Sequence, residues 1–281
     1  MTDTSTMPAT VELQAAQPAG SISLHIHGQQ DRHVSEQLRQ SGVWEPFETA
    51  LLQAALPVGG AFLDVGANIG YFTLLAAQCV GDAGTVVAVE PDPQNCRLLR
   101  ASLELNDMQG RVELVQGALA AEDGQGELFL SEDNLGDHQI YTGGQVRQSV
   151  PIALFHGGQL LAQRLTSLDF VKIDTQGSEY QVLQGLLPLL KSLPQLPLIM
   201  VELTPYSLAE AGASGRQLIE LLASLCETMW IVDHVEHRLV PCAVEELAGW
   251  CDNVAATEGD QGFMNILVGP RAPDDIAVTQ Q

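Results

Sequence analysis

The sequence predicts an α/β fold with a mostly parallel sheet and helices on both faces. Three observations lead there. Apolar strand-like segments alternate with helical ones from residue 61 to 268. The segment Leu198-Ile199-Met200-Val201 is apolar throughout, as a strand covered on both faces must be. A third segment, Phe62-Leu63-Asp64-Val65, runs directly into a glycine turn and then a helix.

In chain order, residues 1–20 are polar and small and are expected to form a disordered tail. They lack a basic start followed by an apolar core, so no signal peptide is expected. Residues 21–60 hold Ile22, Leu24 and Ile26 in alternation, then a helical stretch from Val34 to Leu56 broken at Trp44-Glu45-Pro46-Phe47. This is read as an N-terminal extension or cap. The main domain is read over 61–270, with a tail at 271–281. Its strands are expected at 61–65, 85–90, 111–116, 169–174, 197–203, 228–233 and 263–268. Helices are expected near 70–80, 93–105, 178–190, 212–226 and 243–250. Residues 117–165 interrupt the alternation with a strand around Glu127–Leu130, a polar loop from Ser131 to Arg147 and a short strand at Val150–Ile152. A polar loop of that length inside a compact domain points to function.

Composition narrows the partners. The 281 residues carry 35 acids against 12 bases, a formal charge of −23. A surface that negative repels phosphate backbones and anionic lipid, so neither nucleic acid nor a membrane surface is expected as partner. No apolar run is long enough to span a bilayer. The cysteines Cys79, Cys96, Cys226, Cys242 and Cys251 are odd in number and show no C-x-x-C spacing. That argues against a disulfide framework or zinc site and fits a reducing, cytoplasmic setting.

The chemistry concentrates at two strand ends. In Asp64-Val65-Gly66-Ala67-Asn68-Ile69-Gly70 the glycines permit close backbone approach and tight helix–strand packing. Asn68 stands where a dinucleotide fold has its middle glycine, which makes room for pyrophosphate. The run therefore suits a nucleoside ligand without one. Asp64 can accept a hydrogen bond from a cationic amine, and Asn68 can both donate and accept. The second strand ends in Val89-Glu90-Pro91-Asp92-Pro93. Glu90 is placed to accept ribose hydroxyls. Asp92 is read as a neighbouring contact or as the cap of the next helix.

These two motifs resemble an S-adenosylmethionine-dependent class I methyltransferase. A third, Phe170-Val171-Lys172-Ile173-Asp174-Thr175-Gln176-Gly177-Ser178-Glu179, followed by Val201-Glu202-Leu203, is similar to the FkbM family. The resemblance covers roughly residues 43 to 205. It implies a Rossmann-like fold whose seven-stranded sheet has one antiparallel strand, here 263–268. It implies S-adenosyl-L-methionine as cofactor and a hydroxyl on a small molecule, sugar or lipid as methyl acceptor. Asp64, Gly66, Asn68 and Gly70 would cradle methionine and ribose, with Glu90 on the ribose and Asp92 beside it. Gly117-Ala118-Leu119 would approach the adenine through its backbone, chiefly at Ala118. Asp174 would face the methionine amine or the reacting centre. Trp44-Glu45 would close over the cofactor or serve as packing.

The loop Asn134-Leu135-Gly136-Asp137-His138-Gln139-Ile140-Tyr141 falls where acceptor loops sit in that fold. His138 is the candidate general base, since imidazole titrates near neutrality. Asp137, Asp174, Glu179 and Glu202 offer hard oxygen ligands, but Glu179 can equally cap its helix, and no metal is assigned. His25 with His27, and His234 with His237, are read as solvated histidines. Two other functions share the strand–turn–helix: an NAD(P)-dependent oxidoreductase and a non-catalytic cofactor-binding module. An N-methyltransferase would show Asn/Asp-Pro-Pro-Tyr/Phe where this chain has Asp174-Thr175-Gln176-Gly177. A homodimer is compatible with all of these readings.

Overall fold

The computed structural model describes residues 9–15, 20–28, 31–131, 135, 138–141, 147–257, 259–274 and 276–278. The chain begins with β1 (Ala9–Glu12) antiparallel to β2 (Ser23–Ile26). Leu13, Ile22, Leu24 and Ile26 are buried. The tail expected over residues 1–20 therefore gives way at 9–15, where alternation places one face of β1–β2 on α4. Then follow α1 (Val34–Ser41) and α2 (Pro46–Ala55). Gly42 ends α1 with a left-handed φ of 69°, and Pro46 starts α2 at a position that needs no N–H donor.

The wound core runs β3 (Ala61–Val65), α3 (Tyr71–Val80), β4 (Thr85–Glu90), α4 (Pro93–Leu105) and β5 (Val112–Gln116). An insertion comes next: β6 (Ala118–Ala120), β7 (Gly124–Phe129), β8 (Ser149–His156) and α5 (Gly157–Leu161). It forms a separate three-stranded sheet in the order β6-β8-β7. The second half has β9 (Phe170–Ile173), α6 (Glu179–Ser192), β10 (Leu198–Leu203), α7 (Pro205–Glu210) and α8 (Gly215–Ala223). It closes with β11 (Met229–Asp233), β12 (Arg238–Cys242), α9 (Val244–Ala256) and β13 (Met264–Val268).

The main sheet has eight strands in the order β12-β11-β13-β10-β9-β3-β4-β5. All seven expected strands are in it, and β13 is antiparallel to both neighbours, as expected. The eighth, β12, is an edge strand that pairs antiparallel with β11. It escaped the sequence reading because it is short and carries Pro241, and proline is tolerated only at such an edge. The expected tail at 271–281 is also partly built in: the Leu239 N–H of β12 donates to the Ala277 carbonyl, and Ile276 packs on the core.

Alternation along each strand separates two cores. Phe62, Phe170, Met200 and Leu267 face α2, α3 and α4. Leu63, Val171, Val201 and Ile266 face α6, α8 and α9. After β3 the chain winds outward through β4 and β5, then returns to β9 on the other side of β3. The strand order reverses there, and the carboxyl ends of β3 and β9 splay into a crevice, the usual ligand position in such sheets.

Gly66 makes that junction possible. Its φ is 82°, and a Cβ there would collide with the carbonyl oxygen of Asp174. Its N–H donates to the Val89 carbonyl (3.0 Å), while Asp174 N–H donates to Val65 (3.0 Å), so the turn hangs between β4 and β9. Gly70, at φ 95°, is likewise required by packing, because a Cβ would strike Leu99 of α4. Gly66→Ala should lower stability by more than about 2 kcal/mol in urea unfolding. Gly124→Ala, where nothing lies within 4 Å, should stay within about 1 kcal/mol.

Candidate active site

The crevice is a cavity of about 640 Å³, within the range of small-ligand sites. Its floor is the β3 and β9 ends, Asp64–Ile69 and Lys172 with Asp174–Gln176. One wall comes from Val89–Pro91, Asn95 and Gly117–Leu119. Trp44–Pro46 and Glu48 of the N-terminal extension roof it, and Leu135, His138 and Ile140 of the inserted loop border it. The roof is pinned by Thr49, whose hydroxyl donates to the Trp44 carbonyl (2.9 Å) and bonds Tyr71 (3.1 Å).

Glu90 is buried at the end of β4. Its Oε2 accepts the Asn68 N–H (2.7 Å), and its Oε1 accepts the Asp92 N–H (2.8 Å) and Asn95 Nδ2 (3.3 Å). Burial pushes its carboxyl up to about 7 against the pull of those backbone donors. A carboxylate offers about four lone-pair sites. One place thus remains on Oε2, and a second ligand hydroxyl would have to displace the long Asn95 contact. Asn68 reaches Glu90 from a left-handed conformation (φ 51°), with its own Oδ1 taking the Ile69 N–H (2.8 Å). Asparagine is among the few side chains that tolerate that region.

Asn95 is held in turn by His27, whose Nε2 lies 2.7 Å from its Oδ1. Because Asn95 Nδ2 is directed at Glu90, its Oδ1 must accept, so His27 donates from Nε2. The solvated reading of His27 is therefore corrected: the side chain is buried, because β2 carries it against α4. His25 remains partly exposed and bonds Thr10. His234 and His237 are exposed in the β11–β12 turn at the cavity rim, with His237 stacked on Phe47 (5.7 Å between centroids).

At the floor, Lys172 Nζ donates to Asp174 Oδ2 (2.7 Å) and lies 4.8 Å from the Phe72 ring centroid. Burial opposes its charge, but Asp174, Glu45 and Asp64 outweigh it and hold the ammonium above its usual range. Asp64 accepts the Thr73 hydroxyl (2.6 Å), and burial raises its carboxyl. Gln176 Nε2 bridges Asp174 Oδ1 (2.8 Å) and Glu202 Oε2 (2.9 Å). Burial, then Asp174, Glu179 and Glu45, drive Glu202 well above the carboxylate range. Burial carries Glu45 to about 8 despite Lys172.

Of the residues singled out in the sequence, Asp64, Gly66, Asn68, Glu90, Ala118, His138 and Asp174 all line this one cavity. Two do not. Gly70 faces Leu99. Asp92 spends its carboxylate on capping α4, accepting the Asn95 N–H (2.9 Å). His138 Nδ1 accepts the Ser131 N–H (3.0 Å), so the neutral ring carries its proton on Nε2. Glu179 turns inward and accepts N–H groups of Thr175 and Gly177, which removes it from the suggested cation ligands. Asn134, Gly136 and Asp137 lie outside the described residues. Among those described, no group of three His, Cys, Asp or Glu is placed to hold a metal. Sequence reasoning missed Glu48, Asn95 and Asn265 in the wall; no local motif marks them.

Residues 64–227 match the family model of the methyltransferase FkbM domain, more than half of the 281-residue chain. The match spans the doubly wound half of the sheet and the acid-ended β4. The chain belongs to the FkbM methyltransferase family. This membership favours the methyltransferase reading over the oxidoreductase. Over 82 residues the chain is 37% identical to a ribosomal protein L11 methyltransferase of Pelotomaculum thermopropionicum, covering 29% of this chain and 26% of that one. Over 153 residues it is 28% identical to Methyltransferase 1 of Beauveria bassiana, covering 47% of this chain and 61% of that one. The chain thus spans less than two thirds of the length of either relative. A solved FkbM methyltransferase from Methylobacillus flagellatus shares 15% identity at a TM-score of 0.41, over 62% of this chain and 40% of that one.

The raised carboxyls make stability depend on pH. Glu90 and Glu45 keep their protons in the folded chain up to about 7 and about 8, against 4.5 ordinarily. The folded state therefore binds more protons than the unfolded one. This contribution is fully present below pH 4.5 and is lost as pH rises through the folded values. The melting midpoint should fall from about pH 5 to about pH 8, and Glu45→Gln should flatten the upper part of that slope in a calorimetric series.

Proposed function

We propose that this cavity binds S-adenosyl-L-methionine and methylates a hydroxyl of a small-molecule acceptor, such as a sugar, polyketide or lipid headgroup. Glu90 supports the reading most: it ends β4, lines the cavity and keeps an acceptor site on Oε2 for a ribose hydroxyl. Gly117–Leu119 flank the space next to it for an adenine, and Asp64 and Gly66 border the space for the methionine. The cofactor supplies a methyl group activated on a sulfonium. The protein's part is to hold both reactants in line and keep water away, which accounts for most of the acceleration in such transfers.

The hydroxyl proton needs a destination. Asp174 is proposed as one, since its carboxylate faces the cavity at the junction of β3 and β9. His138 is proposed as the other, after its ring exchanges the Ser131 contact for the acceptor. The turn Asp174-Thr175-Gln176-Gly177 favours oxygen over nitrogen as nucleophile. The excess of acidic side chains in the wall favours a small acceptor over a polyanion such as nucleic acid.

Titration calorimetry with S-adenosylhomocysteine tests this reading. Wild-type protein should bind it, and Glu90→Ala should weaken binding about 10- to 100-fold, the cost of losing hydrogen bonds to a charged group. Absence of binding to the wild type would sink the proposal. His27→Ala should weaken the same binding about 3- to 10-fold by freeing the Asn95 amide, and His27→Gln should recover part of it.

A further inference from the structure

We propose that the cavity holds a second polar subsite, built by Glu48 and Glu45 with Asn265, which takes a protonated amine on the methyl acceptor. The subsite rests on the function proposed above and narrows its acceptor to a hydroxyl compound that also carries an amino group.

Glu48 is only 2% exposed although it is a carboxylate. Its Oε1 accepts Asn265 Nδ2 at 2.9 Å. Its Oε2 is buried without a partner, and so is Oε2 of Glu45 one helical turn away. Both residues and Asn265 line the cavity. Buried acceptors in folded proteins nearly always find a donor. Two orphaned oxygens on residues that line one cavity indicate a ligand that brings donors. Glu45 also sits at a left-handed φ of 43°, a conformation uncommon for a side chain of its kind.

The position of Asn265, and of Glu48 bonded to it, separates that end of the subsite from the cofactor. Asn265 lies on β13 and Glu90 on β4, and the strand order between them is β13-β10-β9-β3-β4. At about 4.8 Å per strand, four intervals amount to about 19 Å. In S-adenosylmethionine about eight bonds separate a ribose hydroxyl from the amino nitrogen, a reach of roughly 10 Å. A cofactor held at Glu90 therefore does not extend to Asn265. Space beyond the methionine is acceptor space.

Charge then selects the ligand. Glu45, Glu48, Asp64, Asp174 and Glu202 line the cavity, and among its described lining residues the single lysine or arginine is Lys172. Lys172 is already bonded to Asp174. An ammonium brings three donors to the two orphaned oxygens, and its charge favours the ionised form of the carboxyls it meets.

The test uses paired probes on protein saturated with S-adenosylhomocysteine: glucosamine against glucose, and 2-aminocyclohexanol against cyclohexane-1,2-diol. Affinity is read by calorimetry and by the shift in melting midpoint. The amines should bind at least about tenfold tighter than their neutral partners at pH 7. Glu48→Gln should abolish that preference while the affinity for S-adenosylhomocysteine stays within about threefold. Glu45→Gln is the second variant should the first fail to fold. Equal binding of neutral and amine probes, a preference that survives both substitutions, or binding of neither class overturns the subsite. If S-adenosylhomocysteine does not bind at all, the cofactor reading falls instead, and the same probe pairs on the protein alone still decide whether Glu48 selects amines.

Discussion

The buried ammonium of Lys172 is the interaction on which the carboxyl end of the sheet depends. Lys172 stands on β9 beside Asp64 of β3 in the parallel register, and its Nζ bonds Asp174 one turn of pleat further on. Asp64, Asp174, Glu45 and Glu202 crowd the same small volume. Burial alone would drive Asp64, Glu45 and Glu202 toward their neutral forms, and one ammonium limits how far that goes. The Phe72 ring completes its surroundings from α3. The lysine thus ties the strand that leads into the glycine turn to the strand that ends in Asp174, across the point where the strand order reverses.

That reversal explains where the cavity lies. Helices cover both faces of the sheet, so its interior is closed. Where the connections from β3 and β9 diverge, the backbone leaves room for a ligand. Gly66 lets the two ends approach closely enough to share hydrogen bonds with β4. The N-terminal extension then becomes part of the site. Thr49 fixes Trp44 and Glu45 over the opening, and His27 orients the Asn95 amide that supports Glu90. An element that reads as an appendage in the sequence contributes both to the roof of the cavity and to the hydrogen bonds of its principal acid.

Much of the fold was legible because its signals are local. The seven core strands and the helices at 71–80 and 93–105 follow from periodicity, from glycine and proline punctuation and from capping chemistry. The edge strand β12 was not legible: a five-residue segment with a proline forms a strand only because β11 is there to pair with it. The short strand β1 depends in the same way on β2 and α4. At the site, Asp64, Glu90 and Asp174 were legible as acids at strand ends, where a parallel sheet directs its chemistry. Gly70 was assigned to the ligand because the motif places it near, but a leucine of α4 claims it; of the two readings of Asp92, the helix cap is the one its carboxylate makes.

By itself, then, the sequence determined the alternation of strands and helices, the turn with Asn68 in place of a glycine, and the acids that end β3, β4 and β9. These follow from residue type and short spacing. The tertiary structure alone decided that His27 supports Asn95, that Glu179 is spent on its own turn, and that Glu48 meets Asn265 across 217 positions of the chain. Contacts of that range leave no periodicity in one sequence. They exist only once the sheet order has brought α2 over the last strand, which is why the Glu48–Asn265 wall of the cavity became visible in the fold and not in the motifs.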